Sequence, residues 1–438
     1  MKEIACDVFV AGGGVAGVMA ACAAAKAGSS AVLCETASCL GAVVTQGPLE
    51  ALMTQYDQNR KVISGLADEL MDILKEMDPR CRNVPDTTGY CAKIVPYQAE
   101  LMKVALGKLL EEYQVTCLLE HTLSQVTREG KKLTSARLQG KYGETTVYAK
   151  AYVDCTGSGN LAALAGNEIL LGDGEGHCQP VSVLTKWGSV DQSLLRQYVA
   201  EHQADFRCFT GDVNLSAEIL HLWGFRGALK EGFESGHLSL FRQEIHVMET
   251  TVPGEVVVNY SRVNPDFSDP QWTSKAALEC SRQVLELLNW FKKTIPAFQN
   301  AVLLRSGYLG IRENGRVRGH RILCKKDLED GSDDGTSVAM GAFPIDIHRP
   351  DSGMQFERLL KGYCIPADTL AARSVENLFM GGRCISSDFE ANGSARISIT
   401  CMATGQAAGV MASIQASQGS WSPAEARKEL LRQRAIIN

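Results

Sequence analysis

The N-terminal segment carries an apolar run followed by three glycines with the spacing G-x-G-x-x-G, at Gly12, Gly14 and Gly17. The apolar run predicts a buried parallel strand, and the alanine-rich residues 18–27 predict a helix directly after the glycines. In such a turn the first glycine allows the bend, the second lets the backbone approach a pyrophosphate, and the third lets helix and strand pack closely. The helix N-terminus then offers free N–H groups and a positive dipole end to the phosphates. The segment therefore predicts an α/β protein that binds a dinucleotide.

A second apolar run, residues 31–34, ends at Glu35. An acid roughly 20 residues beyond the glycines is placed to bind a ribose hydroxyl. A glycine-rich turn in an unrelated α/β protein is the alternative, but strand, glycines, helix, strand and acid occur here in the expected order. From this half of the chain we predict these cofactor-binding residues: Gly12, Gly14, Val15, Ala16, Glu35, Thr36, Gly41 and Ala42.

Composition limits the possible partners. The chain has 438 residues and a formal net charge of -6, which gives no electrostatic reason to expect a nucleic acid as partner. No apolar run approaches the roughly 18 residues that a membrane-spanning helix needs, so we expect no membrane insertion and a cytoplasmic location. The 15 cysteines are scattered without a C-x-x-C pair, so we predict reduced core thiols and no metal site. A redox-active thiol among Cys364, Cys384 and Cys401 is the alternative.

The order of predicted elements indicates two lobes. Short alternating segments at 124–127, 132–139 and 145–153 predict an antiparallel meander, and the glycine-rich residues 172–176 predict a boundary. Beyond that boundary we predict, among others, a strand at 255–260 and a helix at 273–291. We therefore predict a discontinuous cofactor domain (1–171 plus 372–415), a substrate or cap domain (172–371) and a C-terminal helix (416–438). That helix has Ser422 as its N-cap.

Two later glycine motifs decide which dinucleotide fits. A predicted strand ends at Thr156 and Gly157, and another ends at Gly382 and Arg383. Residues 403–409 offer a further helix start with small residues. An extended FAD needs contacts this far apart in sequence, and the chain has no second G-x-G-x-x-G for a separate NAD domain. We therefore predict FAD, with an NAD-binding dehydrogenase as the alternative, and add these binding residues: Thr156, Gly157, Gly382, Arg383, Thr404 and Gln406.

Four further segments complete a resemblance to a known family. They are Gly-Ile-Arg-Glu at 310–313, Pro-Ile-Asp-Ile-His at 344–348, Tyr-Cys-Ile-Pro at 363–366, and residues 396–409. Together with the glycine motifs, they resemble the bacterial FAD-dependent oxidoreductase family, within the fumarate reductase-like superfamily. The resemblance implies a Rossmann-like FAD-binding domain of the glutathione-reductase type with an inserted α+β cap.

The sequence departs from that family at informative places. Relatives often have two glycines where this chain has Gly41 and Ala42, and a His-Gly pair where it has Asn392 and Gly393. The resemblance assigns that histidine to a substrate carboxylate, so its absence argues against simple dicarboxylate reduction. No histidine lies between Glu35 and Gly47, where relatives with covalent flavin attach it. We therefore expect noncovalent FAD.

Three residues are our candidates for catalysis. His348 could transfer protons near neutral pH, oriented by Asp346; a surface or interdomain histidine is the alternative. Arg396 could bind an anionic substrate or reduced flavin, and its alternative is an ion pair with Asp388 or Glu390. Arg312 could line the flavin cleft, and its alternative is a structural salt bridge with Glu313.

Because a flavin performs the electron transfer itself, the protein supplies position and proton transfer. We predict an FAD-dependent oxidoreductase that moves a hydride between flavin N5 and a small polar organic substrate. A hydroxy or unsaturated acid or a sugar-like alcohol is expected, with an electron donor or acceptor that the sequence does not identify. The alternative is a flavoprotein whose FAD is structural or regulatory, or an electron-transfer subunit. A polar cleft containing His348 and Arg396 would favour the enzyme.

Overall fold

The computed structural model describes residues 2–349, 353–359 and 361–438. Its strands are, in chain order, β1 (Lys2–Ala11), β2 (Ala31–Cys34), β3 (Ala51–Met53), β4 (Val84–Pro85), β5 (Lys93–Pro96), β6 (Thr116–Leu118), β7 (His121–Glu129), β8 (Lys132–Gly140), β9 (Gly143–Asp154), β10 (Ile169–Leu170), β11 (Leu184–Gly188), β12 (His221–Gly224), β13 (Ile245–Glu249), β14 (Val256–Asn259), β15 (Val302–Ser306), β16 (Arg316–Val317), β17 (Ser337–Gly341), β18 (Ile345–His348), β19 (Met354–Glu357), β20 (Tyr363–Pro366) and β21 (Leu378–Met380).

The α-helices are α1 (Val15–Lys26), α2 (Leu66–Met77), α3 (Ala99–Glu112), α4 (Asn160–Leu164), α5 (Gln192–Glu201), α6 (Arg226–Glu234), α7 (Trp272–Thr294), α8 (Lys325–Asp330), α9 (Phe389–Ala395), α10 (Ser398–Gln418) and α11 (Pro423–Arg432). Short 3-10 helices occur at Ala42–Val44, Gln203–Asp205, Pro296–Phe298, Ala367–Thr369 and Gly382–Cys384.

The larger sheet is built around the glycine motif. Its strand order is β6-β2-β1-β9-β8-β7, and β21 pairs with the end of β9. The pairs β1–β2, β2–β6, β1–β9 and β9–β21 are parallel. Strands β7, β8 and β9 form the predicted antiparallel meander. The Rossmann-like core predicted from the glycine motif is therefore confirmed. Its parallel strands β2, β1, β9 and β21 all end at the same edge, where ligands bind in such sheets.

A second, antiparallel sheet occupies the middle of the chain. Its order is β12-β13-β14-β11-β15. Trp187, Phe225 and Phe291 belong to one buried cluster that packs this sheet against α7. The predicted strand at 255–260 and helix at 273–291 correspond to β14 and α7, with small differences at their ends. The α+β character predicted for this region is confirmed.

The two sheets have different cores, and the larger core extends further along the chain than the predicted domain boundary. Leu323, Ile345 and Tyr363 pack in the same cluster as Val8 of β1. The boundaries at 171 and 371 remain predictions, but the segment before 371 shares its apolar core with the cofactor domain. The expected C-terminal helix is α11, capped by Ser422.

Among the described residues, no single helix has both the length and the apolar composition needed to cross a membrane. Helices α9 and α10 pass that test only as a pair, and the chain bends by 96° between them.

Candidate active site

One cavity of about 710 Å³ connects the glycine turns of the larger sheet to the inner face of the antiparallel sheet. At one end it is lined by backbone and small side chains, and at the other by histidines, arginines and an aspartate. All three predicted catalytic residues, His348, Arg396 and Arg312, line it. So do these twelve predicted cofactor residues: Gly12, Gly14, Val15, Ala16, Glu35, Thr36, Gly41, Ala42, Thr156, Gly157, Gly382 and Arg383.

The glycine turn is packed too closely for side chains. A Cβ on Gly17 would stand 1.7 Å from the carbonyl oxygen of Gly12, and a Cβ on Gly12 would stand 2.5 Å from the carbonyl oxygen of Cys155. Gly14 is the N-cap of α1, and no side chain caps the helix there. The first N–H groups of α1 are thus available to a ligand in the cavity, which suits the pyrophosphate of FAD.

Glu35 is held at the edge of the cavity by two backbone N–H groups. Its Oε2 accepts from Gly13 N at 2.6 Å, and its Oε1 accepts from Ala37 N at 2.8 Å. A carboxylate has further lone pairs on both oxygens, so Glu35 can still accept from ribose hydroxyls. This geometry fits the role that the sequence predicted.

The second and third glycine motifs meet beside this turn. Arg383 donates to the carbonyl oxygen of Ile311, and a Cβ on Gly157 would stand 3.0 Å from its Nη2. Thr156 is fixed by Asp154, whose Oδ1 accepts from the threonine N–H and hydroxyl at 3.0 and 2.7 Å. Segments more than 200 residues apart in sequence therefore come together at one end of the cavity, as an extended dinucleotide requires.

Two predicted cofactor residues are placed elsewhere. Thr404 lies on α10, and its Oγ1 accepts from Gly382 N at 3.0 Å, so it supports the glycine turn from behind. Gln406 accepts from Leu66 N at 3.1 Å and donates to Gln433 at 3.2 Å. Neither residue lines the cavity. Both residues therefore have a structural role, and not the cofactor contact that we predicted for them.

The small residues after Thr404 have a packing role instead. A Cβ on Gly405 would stand 2.2 Å from Ala16 O, and one on Gly409 would stand 2.0 Å from Ala20 O. Helices α1 and α10 thus approach backbone to backbone. We predicted a second cofactor contact at 403–409, but the small residues of this segment pack α10 against α1. Small residues suit both roles, so their presence in the sequence did not distinguish them.

The N-terminus of α10 does reach the cavity, at residues that we did not predict. Ile397, Ser398 and Cys401 line it, and no side chain caps the helix start. Its free N–H groups and positive dipole end face the same space as Arg396. This end of the cavity is therefore suited to negative charge on a substrate or a reduced flavin.

Asp346 organises the polar end of the cavity. Its Oδ2 lies 3.4 Å from Nη2 of Arg396 and 3.4 Å from Nε2 of His348. Burial opposes ionisation of Asp346, but His348, Arg396 and Arg312 outweigh it and hold its pKa below the ordinary value. The partner of Arg396 is therefore Asp346, not Asp388 or Glu390. Asp388 instead caps α9 through the Ala391 N–H.

Arg396 pairs with this carboxylate, and three further arginines, Arg242, Arg262 and Arg312, lie near enough to interact with it electrostatically. Burial and the neighbouring guanidinium groups lower the pKa of both Arg262 and Arg312. Arg312 donates to Pro180 O. Among the described residues it forms no ion pair with Glu313, whose carboxylate lies 3.7 Å from Nε of Arg316. We call this set, together with Asp346, the arginine cluster. Its excess of positive charge would be relieved by a bound anion.

His348 is buried, which excludes the surface alternative. Besides the contact of its Nε2 with Asp346, its Nδ1 lies 3.4 Å from Nη2 of Arg262. Burial lowers the pKa of His348 well below the usual range, although Asp346 opposes this. Both ring nitrogens face protein groups, so the geometry indicates a neutral histidine that positions Asp346.

Asn392 stands where relatives carry a histidine. Its side-chain amide donates to Arg383 O at 3.0 Å, and it does not line the cavity. Asn392 therefore supports Arg383, which we predict to bind the cofactor.

Two further histidines, His221 and His246, line the cavity, although no motif pointed to them. They lie on the paired strands β12 and β13, where Trp223 is opposite His246 and His221 is opposite Met248. Diagonal neighbours across two strands share a face of the sheet. Only the strand register brings these side chains together, so no local sequence signal could have identified them.

The comparisons with known proteins agree with this geometry. A model of the family described as FAD dependent oxidoreductase matches residues 7–434. The chain belongs to this family. The protein is an FAD-dependent oxidoreductase, and FAD is its cofactor, as the sequence predicted. No match was found among curated proteins.

Several solved structures share the fold of this chain. A geranylgeranyl bacteriochlorophyll reductase-like protein from Thermoplasma acidophilum is 13% identical with a TM-score of 0.51, covering 99% of this chain and 85% of its own. The p-nitrophenol 4-monooxygenase PnpA from Pseudomonas putida DLL-E4 is 12% identical with a TM-score of 0.52, over the same shares. The flavin-dependent brominase Bmp2 is 12% identical with a TM-score of 0.50, covering 98% and 84%. At these identities the likeness shows the fold alone.

Proposed function

We propose that this oxidoreductase transfers a hydride between flavin N5 and a small organic acid, either a hydroxy acid or an unsaturated acid. The arginine cluster is the observation that carries the proposal. Arg312 and Arg396 line the cavity at the polar end, with Arg242 and Arg262 adding positive charge. Guanidinium groups bind a carboxylate through pairs of directional, charge-assisted hydrogen bonds.

The available hydrogen-bond donors support the same substrate class. The Nε atom of Arg396 is buried without a hydrogen-bond partner among the described residues. Nη2 of Arg312 likewise has no protein partner there. Two such donors for a carboxylate favour an organic acid over a sugar-like alcohol, which would leave the arginines without a counter-charge.

When bound, FAD would supply the two-electron chemistry. The protein's part is to place the acid: the arginine cluster holds the carboxylate, and Asp346 keeps the Arg396 guanidinium in position. The glycine turn with Glu35, Thr156, Gly157 and Arg383 would hold the cofactor. The walls formed by Tyr90, Phe343 and Met248 limit the water around the reacting carbon.

An anaerobic reduction experiment tests this function. Purified holoenzyme is mixed with 2-hydroxy acids, the matching amides and sugar alcohols, and bleaching of the flavin absorbance is followed; dithionite-reduced enzyme is mixed with enoates. We expect bleaching by a hydroxy acid or reoxidation by an enoate, with the matching amide at least tenfold slower. Equal rates with acid and amide, or a response to sugar alcohols alone, would overturn the acid assignment. No response to any compound would favour a structural or electron-transfer role for FAD.

The proposal also covers how FAD is attached, the type of FAD domain, the location of the protein and its electron partner. We propose that FAD is noncovalent, which the lack of a histidine between Glu35 and Gly47 supports. We also propose a glutathione-reductase type for the FAD domain, a cytoplasmic location in a bacterium, and an external electron donor or acceptor. Release of a yellow supernatant on denaturation tests the noncovalent attachment.

A further inference from the structure

Three side chains, which have no role in the proposed function so far, are linked by hydrogen bonds in a continuous series. Oδ1 of Asp86 lies 2.8 Å from Nδ1 of His221, and Nε2 of His221 lies 2.9 Å from Nδ1 of His246. The side chains of Asp86 and His221 are 0% and 1% exposed. The series thus runs from a buried carboxylate to an imidazole that lines the cavity.

The outer end of this series is open. Nδ1 of His246 is taken by His221, while its Nε2 has no hydrogen-bond partner among the described residues. The ring is held between aromatic side chains: Trp223 stacks on it at 4.7 Å between ring centroids, and Tyr90 meets it edge-on at 5.8 Å. The imidazole is therefore fixed in orientation, with one nitrogen left for a ligand.

The inner end is fixed as a carboxylate. Asp86 accepts from Thr88 N at 3.2 Å, from the Thr88 hydroxyl at 2.9 Å and from Cys91 N at 3.0 Å. Burial opposes ionisation of Asp86, but His221 and these donors outweigh it and keep its pKa below the ordinary value. An ionised Asp86 can only accept, so Nδ1 of His221 carries a proton toward it.

When both imidazoles are neutral, this fixes the positions of their remaining protons. With its proton on Nδ1, His221 presents the lone pair of Nε2, which accepts from Nδ1–H of His246. The open Nε2 of His246 is then a lone pair, which makes it a base. A proton arriving there allows the Nδ1 proton to pass to His221, where Asp86 pairs with the resulting imidazolium.

The surroundings of His246 keep it ready for this role. Burial lowers the pKa of His246 well below its usual range; the Arg242 guanidinium acts in the same direction and Asp346 opposes it. At neutral pH the unprotonated form is therefore populated. His348 lacks such an open nitrogen, because both of its ring nitrogens face Asp346 and Arg262.

We propose that His246 is the proton acceptor and donor of the reaction, and that His221 and Asp86 relay and stabilise its proton. The inference rests on the proposed function. In the oxidation of a hydroxy acid, the hydroxyl proton goes to Nε2 of His246 and the C=O double bond forms. The hydrogen on carbon leaves with its electron pair as a hydride to flavin. The reverse sequence reduces a keto acid.

The kinetic test uses the holoenzyme with the acid that bleaches its flavin. H246Q should keep its FAD and its affinity for oxalate, a carboxylate probe, but should reduce the flavin at least 100-fold more slowly. H237Q, at an exposed histidine outside the cavity, is the matched control and should match the parent enzyme. D86N should slow reduction and move the acidic limb of the pH profile to lower pH, because the relay loses its negative charge. An H246Q rate within threefold of the parent, or an unchanged acidic limb in D86N, would overturn the relay.

A second measurement does not depend on a substrate. Nitrogen-15 spectra of histidine-labelled, oxidised holoenzyme at pH 8 should show His221 protonated at Nδ1 and His246 unprotonated at Nε2, assigned by loss of signals in H221Q and H246Q. The opposite tautomers would overturn the relay even if acids reduce the flavin. The predicted tautomers in an enzyme that no acid reduces would instead place the failure in the proposed function. If D86N does not retain FAD, the rate of flavin reduction in H246Q and the nitrogen-15 spectra decide whether the relay exists.

Discussion

Gly17 lies so close to Gly12 that a Cβ on Gly17 would stand 1.7 Å from the carbonyl oxygen of Gly12. Because backbone cannot move aside as a flexible side chain can, G17A should destabilise the protein by at least about 2 kcal/mol and reduce its FAD content. Thermal unfolding and the flavin-to-protein absorbance ratio measure both effects. The matched control is G107A in α3, where an added Cβ meets nothing within 4 Å. It should gain up to about 1 kcal/mol from helix propensity. A G17A protein as stable as G107A would contradict the packing.

Ala42 adopts a left-handed backbone with φ of 49°, at a position where the family resemblance leads us to expect glycine. The left-handed conformation costs an alanine roughly 1–2 kcal/mol, whereas the greater entropy that glycine gives the unfolded chain costs only about 0.4–1 kcal/mol. A42G should therefore raise the free energy of unfolding by roughly 0.5 kcal/mol. A277G, inside α7, should lower it by about 1 kcal/mol. Chemical denaturation compares the two, and equal losses in both variants would argue against strain at Ala42.

The buried histidines predict how stability depends on pH. Burial lowers the pKa of both His246 and His348. Below about pH 6.5 the unfolded chain binds protons that these folded residues do not bind, so the free energy of unfolding falls as pH falls. Each histidine contributes about 1.4 kcal/mol per pH unit in that window. Urea denaturation of H246Q at pH 7 and 5.5 should show a smaller decrease than that of the parent protein. An H237Q control should keep the parent's decrease, and the same decrease in all three would exclude His246 as a source.

Much of the cofactor half could be predicted from the sequence, because its signals are local. The spacing of Gly12, Gly14 and Gly17 and the position of Glu35 follow from backbone geometry that any such turn shares. The same reasoning failed for Gln406 and for residues 403–409, since small residues serve helix packing and cofactor contact equally well. His221, His246 and Asp86 could not be predicted, because strand register and a loop distant in sequence bring them together.

Asp346 is the carboxylate at the centre of the arginine cluster. Its replacement in D346N leaves buried guanidinium groups without their counter-charge, so we expect a loss of about 3 kcal/mol in the free energy of unfolding. The loss should shrink when oxalate is present, because a bound anion restores the balance of charge. E234Q, which breaks an exposed pair with Lys230, should change stability by less than about 1 kcal/mol. A neutral effect of D346N, or one that oxalate does not reduce, would contradict the assigned charge balance.

Binding of a carboxylate beside the flavin tests the account most directly. Oxalate titrated into oxidised holoenzyme should perturb the flavin absorbance in a saturable way and give a dissociation constant. R396Q removes a charge-assisted donor, typically worth about 1.5–3 kcal/mol, so its dissociation constant should rise roughly 10- to 100-fold. R373Q, at an exposed arginine outside the cavity, should leave the constant unchanged. No saturable perturbation, or equal constants for the parent enzyme and R396Q, would contradict the claim that the arginine cluster binds the substrate as an acid.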